Sequence, residues 1–322
     1  MDLIYMNSAK EDVGVLLDYT FDLAYGCDEN DFECKIITNN HCCDKGFYLY
    51  FENTEYGGII DNIGVDTESE EITYSGRTWH GILNSKIIEP DSGQDYLIVS
   101  GEANEILSAL ITRLDLSDLF TVSSEDSGIS ITSYQMNRYI GGYDGVRKML
   151  QSVNGKLTLS FKNGAVELSA KPLVDYSQDE QFDSDQIAFK LKKKGNITNH
   201  MICLGKGDLK EREVIHLYTD KQGNLSDTKI ITGVDEVCEL YENTNATSDE
   251  LKQGGIERLQ EDWNSDELEY SFDSDKESFD IGDIVGTKEW VTDTEISSEI
   301  TKKIITISNG VTTVSYKVGE QT

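Results

Sequence analysis

The sequence predicts a mainly β protein with an α+β insert, and three observations carry that expectation. The chain closes on two β-rich runs, Lys302 to Ser308 and Val311 to Val318, joined at Asn309-Gly310, a pair that suits the positive φ of a two-residue hairpin turn. Short runs with β character, bounded by Asp, Asn and Gly clusters, fill the first 90 residues and recur from Ile187 onward. Between them lie two helical spacings and a second hairpin. The order β, α+β, β reads as two related β-barrel domains joined by an insert, at residues 1–95, 96–172 and 173–322, with a helical excursion near 247–264 in the last.

Taken in order, the first zone offers strands at Val13 to Leu17, Phe32 to Ile37, Gly46 to Phe51, Gly58 to Val65 and Glu71 to Tyr74. After Pro90 the period changes. Ile106, Leu107, Leu110, Ile111 and Leu114 fall at helical spacing, and Val146, Met149, Leu150 and Val153 repeat it after the breaker Gly141 to Gly145. Lys156 to Phe161 and Ala165 to Ala170 flank Asn163-Gly164, a second hairpin. In the third zone Ile187, Phe189 and Leu191 alternate with Ala188, Lys190 and Lys192, which predicts a half-exposed strand with a basic stripe continuing to Lys194. Strands follow at His200 to Leu204, Glu213 to Tyr218, Lys229 to Thr232 and Glu267 to Phe272. Thr247 to Glu250 reads as a capping box that opens a helix with Leu251, Ile256, Leu259 and Trp263 on one side, weakened by Gly254-Gly255.

At 322 residues the chain is long enough for two or three compact units, and 60 acidic against 28 basic residues give a net charge of −32. Such a surface repels nucleic acid, whose phosphates are held by basic groups. No stretch has the roughly 18 apolar residues of a membrane helix, and the N-terminus lacks the basic start and apolar run of a signal peptide, so the expectation is folding in a cytosol without stable membrane insertion. The six cysteines then read as reduced core thiols.

No catalytic, cofactor or metal residue is assigned. His41-Cys42-Cys43 and His200 with Cys203 hint at a thiol nucleophile or a metal, but zinc takes about four ligands, and a strand would put His200 and Cys203 on opposite faces. Asp273, Asp275 and Glu277 imitate a calcium loop without its glycine at the sixth position or glutamate at the twelfth, which leaves a solvated acidic turn. Glu29, Asp31 and Glu33 have the carboxylate spacing a glycosidase needs, yet period two sends all three to one exposed face. Gly141, Gly142 and Gly145 precede a helix as in a phosphate loop, but Asp144 opposes an anion there and is expected to cap the helix. Asn196, Asn224 and Asn245 match the glycosylation pattern, which carries little weight without a secretion signal.

Three strings remain: Thr73 to Ile88 with Arg77-Thr78-Trp79-His80-Gly81, Gly205 to Tyr218 with Gly205-Lys206-Gly207, and Asp280 to Gly286. With Gly26 to Cys34, they resemble the baseplate hub, or tail-associated hub, proteins of phages and phage-tail-like bacteriocins of Gram-positive bacteria, and the resemblance runs over nearly the whole chain. It implies two tube-like β-barrel domains per subunit and a homotrimeric ring that adapts a sixfold tail tube to a threefold spike. It also implies no enzymatic activity, no cofactor, contacts with tube or distal tail proteins, the spike, the tape-measure protein and other baseplate proteins, and assembly into a virion tail in the bacterial cytoplasm. In such a ring an acidic lumen would let DNA slide without sticking, the basic stripe Lys190 to Lys194 would meet an acidic neighbour or solvent, and Asp280 and Asp283 become turn and strand-entry residues. Two other classes compete: a cell-wall hydrolase, which needs a defined acid/base or Cys/His set, and a glycan- or receptor-binding module, which would expose Trp79, Trp263 and Trp290.

Overall fold

The computed structural model describes residues 2–177, 182–183, 188–192, 197–263, 267–273, 279–289, 294–308 and 310–319. Lys194, Asn196, Trp290, Asn309 and the acidic string after Asp273 lie outside the described residues, as do the side chains of Lys190, Lys192 and Asp273. The fold is mainly β, with small helical insertions. Two compact units form, Met1–Phe189 with Glu269–Gln321, and Lys190–Leu268. They divide the chain differently from the three sequential zones, because strands from its two ends pair.

The first unit opens with β1 (Leu3–Met6), β2 (Asp12–Leu16), β3 (Tyr19–Gly26), β4 (Asn30–Ile37), β5 (Tyr48–Tyr50), β6 (Gly57–Asp66) and β7 (Glu71–Thr78). After α1 (Trp79–Asn84) and β8 (Ile87–Ile88) come β9 (Ile98–Glu102), α2 (Ala103–Arg113), β10 (Phe120–Val122), β11 (Ser130–Gln135), β12 (Ile140–Gly141), α3 (Gly142–Gln151), β13 (Gly155–Lys162), β14 (Ala165–Pro172) and β15 (Phe182–Asp183). The chain leaves this unit along β16 (Ala188–Lys192). The second unit holds β17 (His200–Leu204), β18 (Val214–Thr219), β19 (Leu225–Ser226), β20 (Cys238–Glu242) and α4 (Ser248–Trp263). The return runs through β21 (Glu267–Asp273) to β22 (Ile284–Glu289), β23 (Thr294–Ser308) and β24 (Val311–Gly319).

In the first unit one large sheet runs in the order β24-β23-β3-β4-β7-β6-β5-β1-β2. Strands from the two ends of the chain meet in the antiparallel pairing of β23 with β3, Lys303 opposite Tyr25 and Ile307 opposite Phe21. The alternation of β4 is complete: Phe32, Cys34 and Ile36 are buried while Asp31, Glu33 and Lys35 face out. Phe21 and Leu23 extend the inner face; each fully buried side chain of this kind contributes about 1.5–3 kcal/mol. A core of Trp79, Leu107, Leu110, Met149, Leu150, Phe161 and Leu168 gathers α1, α2 and α3 with the three-stranded sheet β10-β14-β13. The hairpin between β13 and β14 turns at Asn163 and Gly164, with φ 52° and 80° as its sequence requires.

In the second unit β19-β18-β17-β20 form a sheet against which α4 packs on one side. Thr247 Oγ1 and N both bond Glu250 Oε2, at 2.9 and 2.8 Å, so the capping box is present. Leu251 and Leu259 are buried as their spacing requires. Gly254 and Gly255 have a packing role. A Cβ at Gly255 would lie 2.3 Å from Cys203 Sγ, and one at Gly254 would lie 2.3 Å from the Tyr241 hydroxyl, so the pair lets the helix approach the sheet. Residues 229–232 are not a strand; Lys229 instead reaches Glu236 at 2.6 Å.

Candidate functional site

The outer face of the large sheet collects carboxylates. Asp22 on β3 and Asp31 and Glu33 on β4 point the same way because paired residues share a face, Asp22 opposite Glu33 and Ala24 opposite Asp31. With Glu29, Asp61 and Arg77 they border a concavity of about 580 Å³. Arg77 grips Asp61 through Nε and Nη2, both at 2.8 Å, and this donation holds the Asp61 carboxyl below its ordinary value. Burial, then the charge of Glu29, raises the carboxyls of Asp22 and Asp31 above theirs. Lys302 ties down Glu29 and approaches Asp28 at 3.4 Å, and Lys35 pairs with Glu33 at 2.8 Å. The result is a fixed, negatively biased sheet surface. Glu29, Asp31 and Glu33 thus share a face as their spacing predicts, but among neighbours that neutralise or hold charge.

Behind that face lies a layer of buried charge. Lys302 and Lys303 are consecutive on a strand and so point to opposite sides, and Lys303, 1% exposed, donates to Glu55 Oε1 at 2.7 Å beside the rings of Tyr56 and Tyr316. His80 stacks on Tyr25 with centroids 4.0 Å apart, and its Nδ1 has no hydrogen-bond partner among the described residues. Burial first, then Lys303, pull the His80 imidazole down to about 3, so it is neutral. Asp283 is fully buried and takes Lys156 Nζ on both oxygens at 2.8 Å, together with the backbone N–H groups of Val174 at 2.9 Å and Asp280 at 3.0 Å. Asp280 adds a second carboxylate to Lys156 at 2.7 Å. Burial lowers the Lys156 ammonium, but Asp280 and Asp283 outweigh it and the group stays charged. Asp283 is therefore more than a strand-entry residue: it ties β13, the segment after β14 and β22 together.

The remaining sequence candidates separate. Tyr74 hydroxyl meets His41 Nδ1 at 2.9 Å and accepts the N–H groups of Cys42 and Cys43 at 3.2 and 3.3 Å. Burial pushes the Cys34 thiol up to about 12, and burial followed by the Cys42 charge raises Cys43, so these thiols are poor nucleophiles. Cys203 faces α4 while His200 turns to the other side of its sheet, as strand geometry requires. Asp144 does not cap α3. Gly141 occupies that position, and Asn84 closes the turn by accepting the Asp144 N–H and donating to its carboxylate, each at 3.1 Å. Trp79 is buried in the core against Phe161, and Trp263 is half-buried with Nε1 donating to the Thr198 carbonyl at 3.0 Å. Asn245 lies in a turn, and Asn224 directly follows one. Among the described residues no three His, Cys, Asp or Glu side chains converge as a metal group, and no helix is long and apolar enough to cross a membrane.

Sequence reading missed the meeting of His200, His216 and Glu236. His200 Nδ1 bonds Glu236 Oε1 at 2.7 Å and Nε2 faces His216 Nδ1 at 2.8 Å. These residues lie on β17, on β18 and before β20, so no local spacing announces them.

No family model matches the chain, and no curated protein matches it either. Its fold, however, is found in solved structures. The 43 kDa tail protein of prophage MuSo2 from Shewanella oneidensis superposes with a TM-score of 0.57 at 10% identity, covering 99% of this chain and 98% of that one. Prophage tail protein gp18 from Listeria monocytogenes gives 0.54 at 11% identity over 98% and 94% of the two chains. A tail protein from Neisseria meningitidis gives 0.52 at 13% over 99% and 96%. From end to end, the chain has the fold of these phage tail proteins.

Proposed function

We propose that this chain is a structural baseplate hub of a phage tail or phage-tail-like particle. The observation that carries the reading is correspondence over the whole length: nearly all of this chain and nearly all of each tail protein superpose, so the likeness extends beyond one shared module. Three subunits form a ring that joins a sixfold tube above to a threefold spike below, each contributing two tube-like β regions. The part of the large sheet built from β3 to β7 is one, and the strands near the C-terminus, joined to it through β23 and β3, belong to the other. The tape-measure protein and other baseplate proteins are the further partners, assembly takes place in the bacterial cytoplasm, and the role is non-enzymatic.

The carboxylate face of β3 and β4 is the surface best suited to border the channel, because fixed negative charge repels the phosphates of passing DNA. The test is assembly of the chain with its tail tube and spike proteins, followed by particle imaging. Threefold density between tube and spike supports the hub; density on the outside of the tail, or none, refutes it. A peptidoglycan zymogram distinguishes the hydrolase alternative, and no clearing is expected.

A further inference from the structure

We propose that Lys156 and Asp283 react with each other to form an intramolecular amide, a covalent tie between β13 and the entry to β22, with Asp280 as the proton-transfer group. The nucleophile and its target are in contact. Lys156 Nζ lies 2.8 Å from both oxygens of the Asp283 carboxylate and 2.7 Å from Asp280 Oδ2. A turn from Asp280 to Asp283, closed by the Asp283 N–H on the Asp280 carbonyl at 3.1 Å and with Gly282 at φ 102°, presents both carboxylates to the one amine. Water is largely shut out. The Lys156 and Asp283 side chains are 6% and 1% exposed, and the buried Phe279, Ile281 and Val285 flank the turn along the chain.

The charged pair is the resting form and the reactant. One proton passes from the Lys156 ammonium to Asp283, which gives a neutral amine and a carboxylic acid, and burial narrows the gap between the two forms because a dry site penalises both charges. The Nζ lone pair then forms a bond to Asp283 Cγ. The backbone N–H groups of Val174 and Asp280, 2.9 and 3.0 Å from Oδ1 and Oδ2, are placed to hold the negative oxygen of the tetrahedral intermediate. Asp280 takes a proton from the nitrogen and returns it to the departing hydroxyl, the C–O bond breaks, and one water leaves. Ammonium and carboxylate thus become amide and water, with Asp280 unchanged and no outside reagent. Contact replaces chemical activation: well-oriented groups in one molecule reach effective concentrations of about 10⁵–10⁸ M. Since each chain reacts once, a slow step suffices.

The test is the intact mass of the purified full chain, incubated folded at neutral pH, followed by peptide mapping. The expected mass is one water below that of the sequence, with the peptide that contains Lys156 joined to the one that contains Asp283. Lys156→Arg keeps the positive charge and should restore the full mass. Asp280→Asn leaves Lys156 paired with Asp283, so circular dichroism should show a folded chain while the link forms about 100-fold more slowly or not at all. On a denaturing gel the linked wild type, which keeps a closed loop, should run ahead of Lys156→Arg. A folded wild-type chain that stays at full sequence mass, or a loss of water that mapping assigns elsewhere or that persists in Lys156→Arg, overturns the proposal, and linking at the wild-type rate in Asp280→Asn overturns the role given to Asp280.

Discussion

At the scale of single residues, the strongest constraints are buried charges whose partners lie far off in sequence. Asp283 and Lys156 are separated by 127 positions. Asp283→Ala leaves a buried ammonium with one carboxylate fewer and two backbone N–H groups unpaired, so a loss of about 3–5 kcal/mol is expected in denaturant unfolding. Replacing both Lys156 and Asp283 by Met should cost less than the single change, since no charge is then stranded. His80 gives a pH signature. Its folded value of about 3 lies below its ordinary 6.5, so between those limits the unfolded chain binds a proton that the folded chain refuses. Stability from this group is full above 6.5 and is lost as pH falls towards 3. His80→Phe keeps an aromatic ring against Tyr25 and should flatten the stability–pH curve in that window, by about 5 kcal/mol at most, as read from urea midpoints across pH. None of these partnerships was legible beforehand. Asp280 and Asp283 read as turn residues because the sequence around them is locally a turn, and the lysine that completes the site is on another element.

Elements were more readable, because they obey local rules. The helix predicted over Ala103 to Leu114 is α2, the hairpin at Asn163-Gly164 is β13 and β14, and the capping box at Thr247 opens α4. The first zone's strands appear with small shifts, but β1 and β3 were not anticipated, although Tyr19 to Gly26 forms eight residues of strand paired on both sides, with β23 and β4. Asp22, a poor strand former by composition, sits on its outer face where only the alternating Phe21 and Leu23 need burial. Gly254-Gly255 misled for the opposite reason: helix propensity is a local cost, whereas the close approach to Cys203 and Tyr241 belongs to the tertiary fold. Gly255→Ala should therefore destabilise the second unit by about 1–3 kcal/mol despite the better helix former. Lys252→Ala, on the exposed side of α4, should change stability by less than about 0.5 kcal/mol. Hydrogen exchange of the α4 amides separates the two outcomes, with faster exchange expected only in the first.

For the whole molecule, the division into three sequential zones does not match the compact units. A sequence read from end to end reports which strands exist, but their partners are set by packing: β23 lies between β3 and β24, which joins the two ends of the chain in one sheet, and residues 190–268 form a unit of their own. The candidate surface was visible only in part. The spacing of Glu29, Asp31 and Glu33 gave one exposed face, while Asp22, Asp61 and the restraining Arg77 and Lys302 came from strands that sequence order does not place beside it. If that face borders a channel, Asp22→Asn, Asp31→Asn and Glu33→Gln together should slow DNA ejection from assembled particles, and unchanged ejection kinetics would remove the face from the channel. The central claim is the threefold ring. Light-scattering mass of the purified chain, alone and then mixed with its tube and spike proteins, tests it most directly. The account predicts a species of three times the 36.1 kDa chain mass, by itself or upon mixing, and a chain that stays monomeric in every mixture would contradict it.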